Sequence, residues 1–378
     1  IAAARLKERG ADFAPTLLSR LQNPDRLFKD LKMDETDKNH NLEVSLAESY
    51  TDLKSDGQRR FRALGVFAPE GTFDLGALKG VWADEDEADT DDGIDLLMRA
   101  GLLVRLDEGR YRLHNLLRAY ARALAGKKGE TEELFVRYAE WVTAQAAQFD
   151  ENPPEAWGAF EPFLAPHVLE VGDRLVEQYS HITLPDEPLS KQALDFALRI
   201  DGYLAKRREM RRVEWLEMGL VAARHREDQK CEGLFLHNIG LTWSDLGEKR
   251  KALDYYEQAL PLSRAVGDRD GEATTLYNIG GAWSDLGEKR KALDYLKQAL
   301  PMFRAVGDRG GEAASLNGIG VVWSDLGEKR KALDYYEQAL LLRRAVGDRR
   351  GEVATLNNIG MVWSDLGEKR KALDYYEQ

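Results

Sequence analysis

The string SDLGEKRKALDYYEQ occupies residues 244–258, returns unchanged at 324–338 and 364–378, and recurs at 284–298 with only Leu296 and Lys297 altered. The same period governs single residues around it: Trp243, Trp283, Trp323 and Trp363 are 40 apart, as are Gly240, Gly280, Gly320 and Gly360. A unit repeated this faithfully is a stacked supersecondary element that buries its apolar face against its neighbours. Within one unit, Ala273, Leu276, Ile279, Gly280 and Trp283 fall at helical spacing and predict a helix over 272–286, which Gly287 stops. A second helix over 288–306 carries Ala292, Tyr295, Leu296, Ala299 and Leu300 on one face and ends at Gly307. Small residues at Gly280, Ala292 and Ala299 let the two helices approach around Trp283. The four tryptophans share the apolar stripe and are expected in the repeat core, not as ligand contacts.

The pattern Leu276-x2-Ile279-Gly280-x2-Trp283-x3-Gly287-x4-Ala292-x3-Leu296-x2-Ala299 resembles the tetratricopeptide repeat. That unit ordinarily has about 34 residues and a proline after its second helix. Here the proline is missing and the second helix is lengthened through Arg-Ala-Val-Gly-Asp. The 40-residue form is similar to the Leu-Gly-Asn repeat proteins and to the repeat arrays of bacterial signalling ATPases. The resemblance covers 232–378 as four units, the last one cut short. Residues 191–231 read as a degenerate unit with Asp201 at the glycine position.

Stacked helix pairs curve, and the first helix of each unit lines the concave side. The position two before the glycine holds Asn238, Asn278, Gly318 and Asn358. In peptide-binding relatives an asparagine here bonds the ligand backbone, which an amide suits because it both donates and accepts. Neighbouring groove positions are His237, Tyr277, Asn317 and Asn357, then Leu241, Gly281, Val321 and Met361. All of these vary between otherwise near-identical units. Two readings stay open at this point: a surface tuned to a ligand, or exposed positions drifting in recent duplicates. Gly318 interrupts any continuous amide ladder.

The front half lacks this period. The segments 42–53, 57–67, 73–82 and 90–103 read as helices, the last stopped at Gly101. Leu102–Leu106 and Arg110–Leu113 alternate as a short hairpin, and a helix from His114 to Leu124 follows. Helices with a two-stranded wing describe a winged helix over 41–125. The segment AESYTDLKSDGQRRFRALGVFAPEGTFDLGAL and the later DLLMRAGLLVRLDEGRYRLHNLLRAYARAL resemble the winged helix that follows the nucleotide-binding module of NB-ARC proteins, which are signal-transducing STAND ATPases. By the same resemblance, residues 1–40 look like the tail of the helical subdomain preceding it. Residues 126–190 read as a helical connector without stated chemistry.

In that family a Met-His-Asp motif opens the helix after the wing, and its histidine touches the β-phosphate of bound ADP. Here the motif reads Leu113-His114-Asn115, so the resemblance assigns nucleotide sensing to His114. An imidazole beside free helix N–H groups is a plausible phosphate donor. Residue chemistry alone favours the plainer reading, a histidine packed beside the wing.

Composition limits the rest. The chain has 378 residues, 43% hydrophobic and 32% charged, with a net charge of -12. Such a balance disfavours a general nucleic-acid binder. Asp84 through Asp95 places eight carboxylates before Arg99, in the helix that would enter a DNA groove; a protein-docking face and a solubilising loop are the two readings left. No apolar run approaches the roughly 18 residues of a membrane span. The single cysteine, Cys231, excludes a disulfide scaffold and fits a reducing cytoplasm. GxxxxGK[ST] is absent: in the nearest string, Ala125-Gly126-Lys127-Lys128, Ala121 stands where the first glycine belongs. HExxH and GxSxG are absent too, so neither a catalytic constellation nor a bound metal is expected. The chain opens without methionine and stops within a repeat, which suggests a piece of a longer protein.

The fold expected is therefore mostly α: a winged-helix domain, a connector and a superhelical repeat solenoid. The function expected is a non-catalytic regulatory and sensor region of a STAND ATPase, with a protein or peptide ligand in the repeat groove. The family resemblance further implies an upstream NB-ARC module in cis, ADP or ATP with Mg in that module, and oligomer formation on activation. A free-standing interaction scaffold and a winged-helix transcription regulator are the rivals.

Overall fold

The computed structural model describes residues 49–69, 71–151, 157–179, 187–207 and 211–378. The reading of 1–40 and the start of the 41–125 segment lie outside the described residues. The protein is mostly helical, and among the described residues the strands form one two-stranded sheet. It divides into two compact units, 1–209 and 210–378.

In the first unit, α1 (Ser55–Ala63) runs into a 3-10 turn, Leu64–Val66. Helix α2 (Leu75–Trp82) starts where the Asp74 carboxylate accepts from Ala77 N at 2.8 Å. Helix α3 (Glu87–Arg99) is capped likewise by Asp86, which accepts from Asp89 N at 2.8 Å. That cap starts α3 ahead of the apolar spacing that predicted its onset at Thr90. Strands β1 (Val104–Arg105) and β2 (Tyr111–Arg112) pair antiparallel, and Phe73 adds a single bridge to Tyr111. Helices α4 (Asn115–Lys128), α5 (Thr131–Glu151), α6 (Trp157–Tyr179) and α7 (Glu187–Arg207) complete the unit. The string Ala125–Lys128 ends α4 as helix, which no phosphate cradle could be.

Phe61, Phe67, Phe73, Trp82 and Tyr138 are fully buried, with Phe67 stacked on Phe73 at 4.1 Å between ring centroids. Two arginines of α1 are buried with them, and each is paired. The Arg62 guanidinium forks onto Glu130 at 2.7 and 2.7 Å and donates to the Tyr50 hydroxyl at 2.8 Å. Arg60 donates to Asp84 at 2.5 Å, and the Thr90 hydroxyl donates to the same oxygen at 3.0 Å. With its side chain only 4% exposed, Asp84 leaves the acidic surface the sequence suggested and joins the core. Gly65 brings the 3-10 turn against α4 so closely that a Cβ would sit 2.3 Å from Arg122 N.

The second unit starts with α8 (Arg212–His225) and continues as four helix pairs. These are α9 (Gln229–Asp245) with α10 (Lys249–Ala265), α11 (Arg269–Asp285) with α12 (Lys289–Val306), α13 (Arg309–Asp325) with α14 (Lys329–Val346), and α15 (Arg349–Asp365) with α16 (Lys369–Tyr376). Asp268, Asp308 and Asp348 cap the first helices by accepting from the amide three residues on, at 3.0, 2.9 and 2.9 Å. The glycine after each first helix is left-handed, with Gly287 at φ 84°, and Glu288 N returns to Trp283 O at 2.9 Å.

Apolar clusters form between units. Ala292, Leu293 and Leu296 of α12 pack on Ile319 and Val322 of α13, and Ala332, Leu333, Tyr336 and Leu340 of α14 pack on Leu356, Ile359 and Val362 of α15. The tryptophans are half-buried against these clusters, and lysines cover their rings: Lys251 Nζ lies 4.3 Å from the Trp243 centroid, and Lys291, Lys331 and Lys371 stand at 4.1, 4.6 and 4.4 Å over theirs. Two ionic ladders cross the seams. Lys249, Lys289 and Lys329 pair with Asp285, Asp325 and Asp365 at 2.8, 2.5 and 2.6 Å. Arg264, Arg304 and Arg344 pair with Glu272, Glu312 and Glu352 at 2.6, 2.6 and 2.7 Å.

The segment 191–231 is shared between the two units. Helix α7 packs against α5, whereas α8 packs against α9. Arg224 pairs with Glu232 at 2.7 Å and Asp228 caps Cys231 N at 3.0 Å, each 40 residues before its counterpart. Thus α8 stands where the second helix of a unit belongs.

Candidate functional site

Successive first helices α9, α11, α13 and α15 pack on one another. Their shared face brings the variable groove positions together, though not as a row of free amides. His237 Nδ1 lies 2.9 Å from the Thr275 hydroxyl of the next unit, and Asn278 Nδ2 lies 3.2 Å from His237 Nε2. Since Nε2 must accept from the amide, Nδ1 carries the proton and donates to Thr275. Burial pushes the His237 pKa down to about 4, so the ring is neutral. One unit pair on, Asn317 Oδ1 accepts from Asn358 Nδ2 at 3.2 Å and lies 3.4 Å from the Thr355 hydroxyl, which also donates to Gly351 O at 2.9 Å.

Between them, the Tyr277 seam uses volume in place of bonds. A Cβ on Gly318 would lie 3.8 Å from the Tyr277 ring and 3.4 Å from Leu296 Cδ1. Tyr277 is large where Leu296 is small, and Gly318 leaves room for both. At the other seams Tyr256 and Tyr336 replace the leucine. The Ser315 hydroxyl, at the place of Thr275 and Thr355, is buried with no hydrogen-bond partner because Tyr277 offers none there. Gly318 thus packs at ordinary van der Waals distance from Tyr277, and positions 38 and 41 apart are neighbours across each seam.

What faces outward is narrower. Leu241 and Val321 are half-buried, a Cβ on Gly281 would meet nothing within 4 Å, and Met361 is 58% exposed. Leu234 and Asn357 are exposed beside them, while Asn238 is half-buried. This stripe is uncharged, and the lysines at its turn end, Lys249, Lys289 and Lys329, are already paired. Such a face suits apolar side chains better than a terminal carboxylate, which needs free cations.

His114 is the N-cap of α4. Its Nδ1 accepts from Leu116 N at 3.2 Å, so the proton sits on Nε2, on an exposed side chain. The imidazole is a cap with an outward donor, where packing beside the wing was the plainer sequence reading. Among the described residues no group of three His, Cys, Asp or Glu side chains is placed to hold a metal ion.

Sequence reasoning missed two clusters in the first unit. His167 is fully buried among Phe67, Trp141 and Phe163. Its Nε2 donates to Thr72 O at 2.9 Å and its Nδ1 accepts from the Tyr138 hydroxyl at 2.7 Å. Burial holds its pKa down to about 4. The second cluster joins Arg118 and Arg122 of α4 to Glu170 and Arg174 of α6. Its one sequence signal is a pair of i, i+4 charges on each helix.

Residues 234–305 and 306–378 match the family model of the tetratricopeptide repeat. No curated protein matches the chain. Three solved structures with which it aligns are described here. BtubC from P. vanneervenii is 20% identical, with 55% of this chain and 85% of that chain covered and a TM-score of 0.44. A STAND protein with a tetratricopeptide repeat sensor from Pyrococcus horikoshii is 16% identical, with 94% and 59% covered and a TM-score of 0.46. A kinesin light chain-like repeat protein from Podospora anserina is 13% identical, with 50% and 91% covered and a TM-score of 0.39. Among the described residues no helix is long and apolar enough to cross a membrane.

Proposed function

Since residues 234–378 are tetratricopeptide repeats, we propose that the array is a sensor that takes an apolar segment of a protein partner along Leu241, Gly281, Val321 and Met361. The carrying observation is that this stripe is uncharged and at least partly exposed, with Val321 also resting on the α14–α15 cluster, while the positions beside it are spent on seams between units. A peptide selected against the 378-residue chain should lose at least about tenfold in affinity on Val321→Arg, because a desolvated cation in an apolar contact costs well over 1.4 kcal/mol. Gln298→Arg, on an exposed second-helix site, should leave affinity unchanged. Equal binding by both variants sinks the assignment.

The first unit we read as a winged helix. Its order of helix, bridge, two helices and hairpin supports this, as does the likeness of its sequence to the NB-ARC segment. On this reading, sensing is reported to a nucleotide module through His114, whose outward Nε2–H suits a phosphate oxygen. The acidic stretch Glu85–Asp95 repels DNA and disfavours the transcription-regulator rival. Where the nucleotide module is present, His114→Asn should lower ADP affinity about tenfold to a hundredfold, the worth of one hydrogen bond to a charged group. Asparagine still caps α4, so stability should hold. Unchanged ADP affinity in that variant removes His114 from nucleotide sensing and favours the free-standing scaffold.

A further inference from the structure

Helices α4 and α6 meet through charged side chains that do not balance. Arg118 and Arg122 lie one turn apart on α4, and Glu170 and Arg174 one turn apart on α6. Arg122 Nη2 donates to Glu170 Oε1 at 2.9 Å, which uses the cluster's one carboxylate. Arg118 reaches only the Phe67 carbonyl, at 3.4 Å, and the Arg174 guanidinium lies 4.0 Å over the Phe135 ring. Arg118 Nε and Arg174 Nη1 are buried and have no hydrogen-bond partner. Glu177, exposed further along α6, forms no ion pair with Arg174 among the described residues. Burial and then the neighbouring Arg122 charge hold Arg174 down to about 10 and lower Arg118 as well. Arg174 therefore remains charged at neutral pH.

Guanidinium donors left without an acceptor on half-buried side chains are costly unless a ligand supplies one to the group. Three cations against one carboxylate leave a surplus that a dianion matches and a single carboxylate does not. A phosphoryl group carries close to two negative charges at neutral pH and has three acceptor oxygens. Planar guanidinium forks fit those oxygens in pairs. We propose that the half-buried charge cluster shared by α4 and α6 binds a phosphoryl dianion through the accessible parts of Arg118, Arg122 and Arg174, with Glu170 holding Arg122 in place. Neither the groove nor His114 enters this assignment. The bound anion ties the helix after the hairpin to the connector helix.

The test is a titration of the 378-residue chain with inorganic phosphate at constant ionic strength, read by calorimetry and thermal melting. Wild type should bind saturably and melt higher than in chloride of equal ionic strength. Arg174→Met and Arg118→Gln should each weaken binding at least about tenfold. Without phosphate, Arg174→Met should melt at or above wild type, because an unpaired cation has been removed. At saturating phosphate the order should reverse. ADP as a second titrant separates the sources: tighter binding than phosphate assigns the site to a nucleotide, equal binding to the free anion. No saturable phosphate response in wild type, or a response that both folded variants keep, overturns the proposal.

Discussion

Trp323→Ala is expected to destabilise the repeat array by about 3–4 kcal/mol, and Trp363→Ala by roughly half as much. The two tryptophans occupy equivalent positions in near-identical units, and packing sets them apart. Trp323 rests on the α12–α13 cluster and on the α14–α15 cluster, whereas Trp363 rests on the second alone. Truncating Trp323 therefore opens space at two seams, and stability in a stacked array passes through its seams. Trp323→Phe should cost far less, since it keeps most of the ring and removes an indole N–H that is buried without a partner. Urea unfolding followed by circular dichroism checks the series. Equal losses at the two sites, or a loss under about 0.5 kcal/mol at Trp323, would show that the rings are not joints between units.

Acidification should weaken the first unit through His167 by up to about 3 kcal/mol. The folded ring titrates at about 4, well below the ordinary value of 6.5. Above pH 6.5 both folded and unfolded states hold it neutral, and it contributes no pH dependence. As pH falls from 6.5 toward 4 the unfolded chain gains a proton that the fold refuses, and stability drops. Below 4 both states are protonated and the loss levels off. Burial explains the refusal: a charged ring among Phe67, Trp141 and Phe163 would lose its hydration, and the hydrogen bond to Thr72 O only partly offsets that loss. Between pH 6.5 and 5 most carboxylates stay ionised, so the slope there isolates histidine. His167→Gln should flatten that slope for the first unit, whatever its effect at pH 7. His237, also held to about 4, should weaken the array over the same window. A flat stability profile from pH 6.5 to 5 in wild type would contradict both assignments.

The helix pairs were legible because each punctuating residue does a local job. Gly287 must turn left-handed and Asp268 must cap, and a period of 40 exposes both. The opening helix α8 was harder to see because few residues, among them Leu220, Arg224, Asp228 and Glu232, keep the pattern there. The groove was misjudged for a different reason. Helical spacing assigns His237, Tyr277 and Asn317 to a face but says nothing of what the next unit presents to that face. Only the pairing with residues 38 and 41 further on shows that these positions are neighbours across each seam. Asp84 escaped for the same kind of reason, since Arg60 reaches it from a helix the acidic run does not contain. The cluster of Arg118, Arg122, Glu170 and Arg174 joins charges about fifty residues apart that no local window unites.

The two ladders have a consequence for how such an array grows and shrinks. Every lysine meets an aspartate, and every arginine a glutamate, supplied by whichever copy comes next. A misaligned crossover that deletes or adds one 40-codon block between equivalent points would hand each cation a chemically identical substitute. Copy number can then drift without an unpaired charge at the join. The Tyr277–Gly318 junction is the exception. Its residues pack at van der Waals distance without the side-chain hydrogen bonds of the other two seams, so a crossover there exchanges a polar contact for an apolar one. That junction is a bookmark in an otherwise interchangeable text.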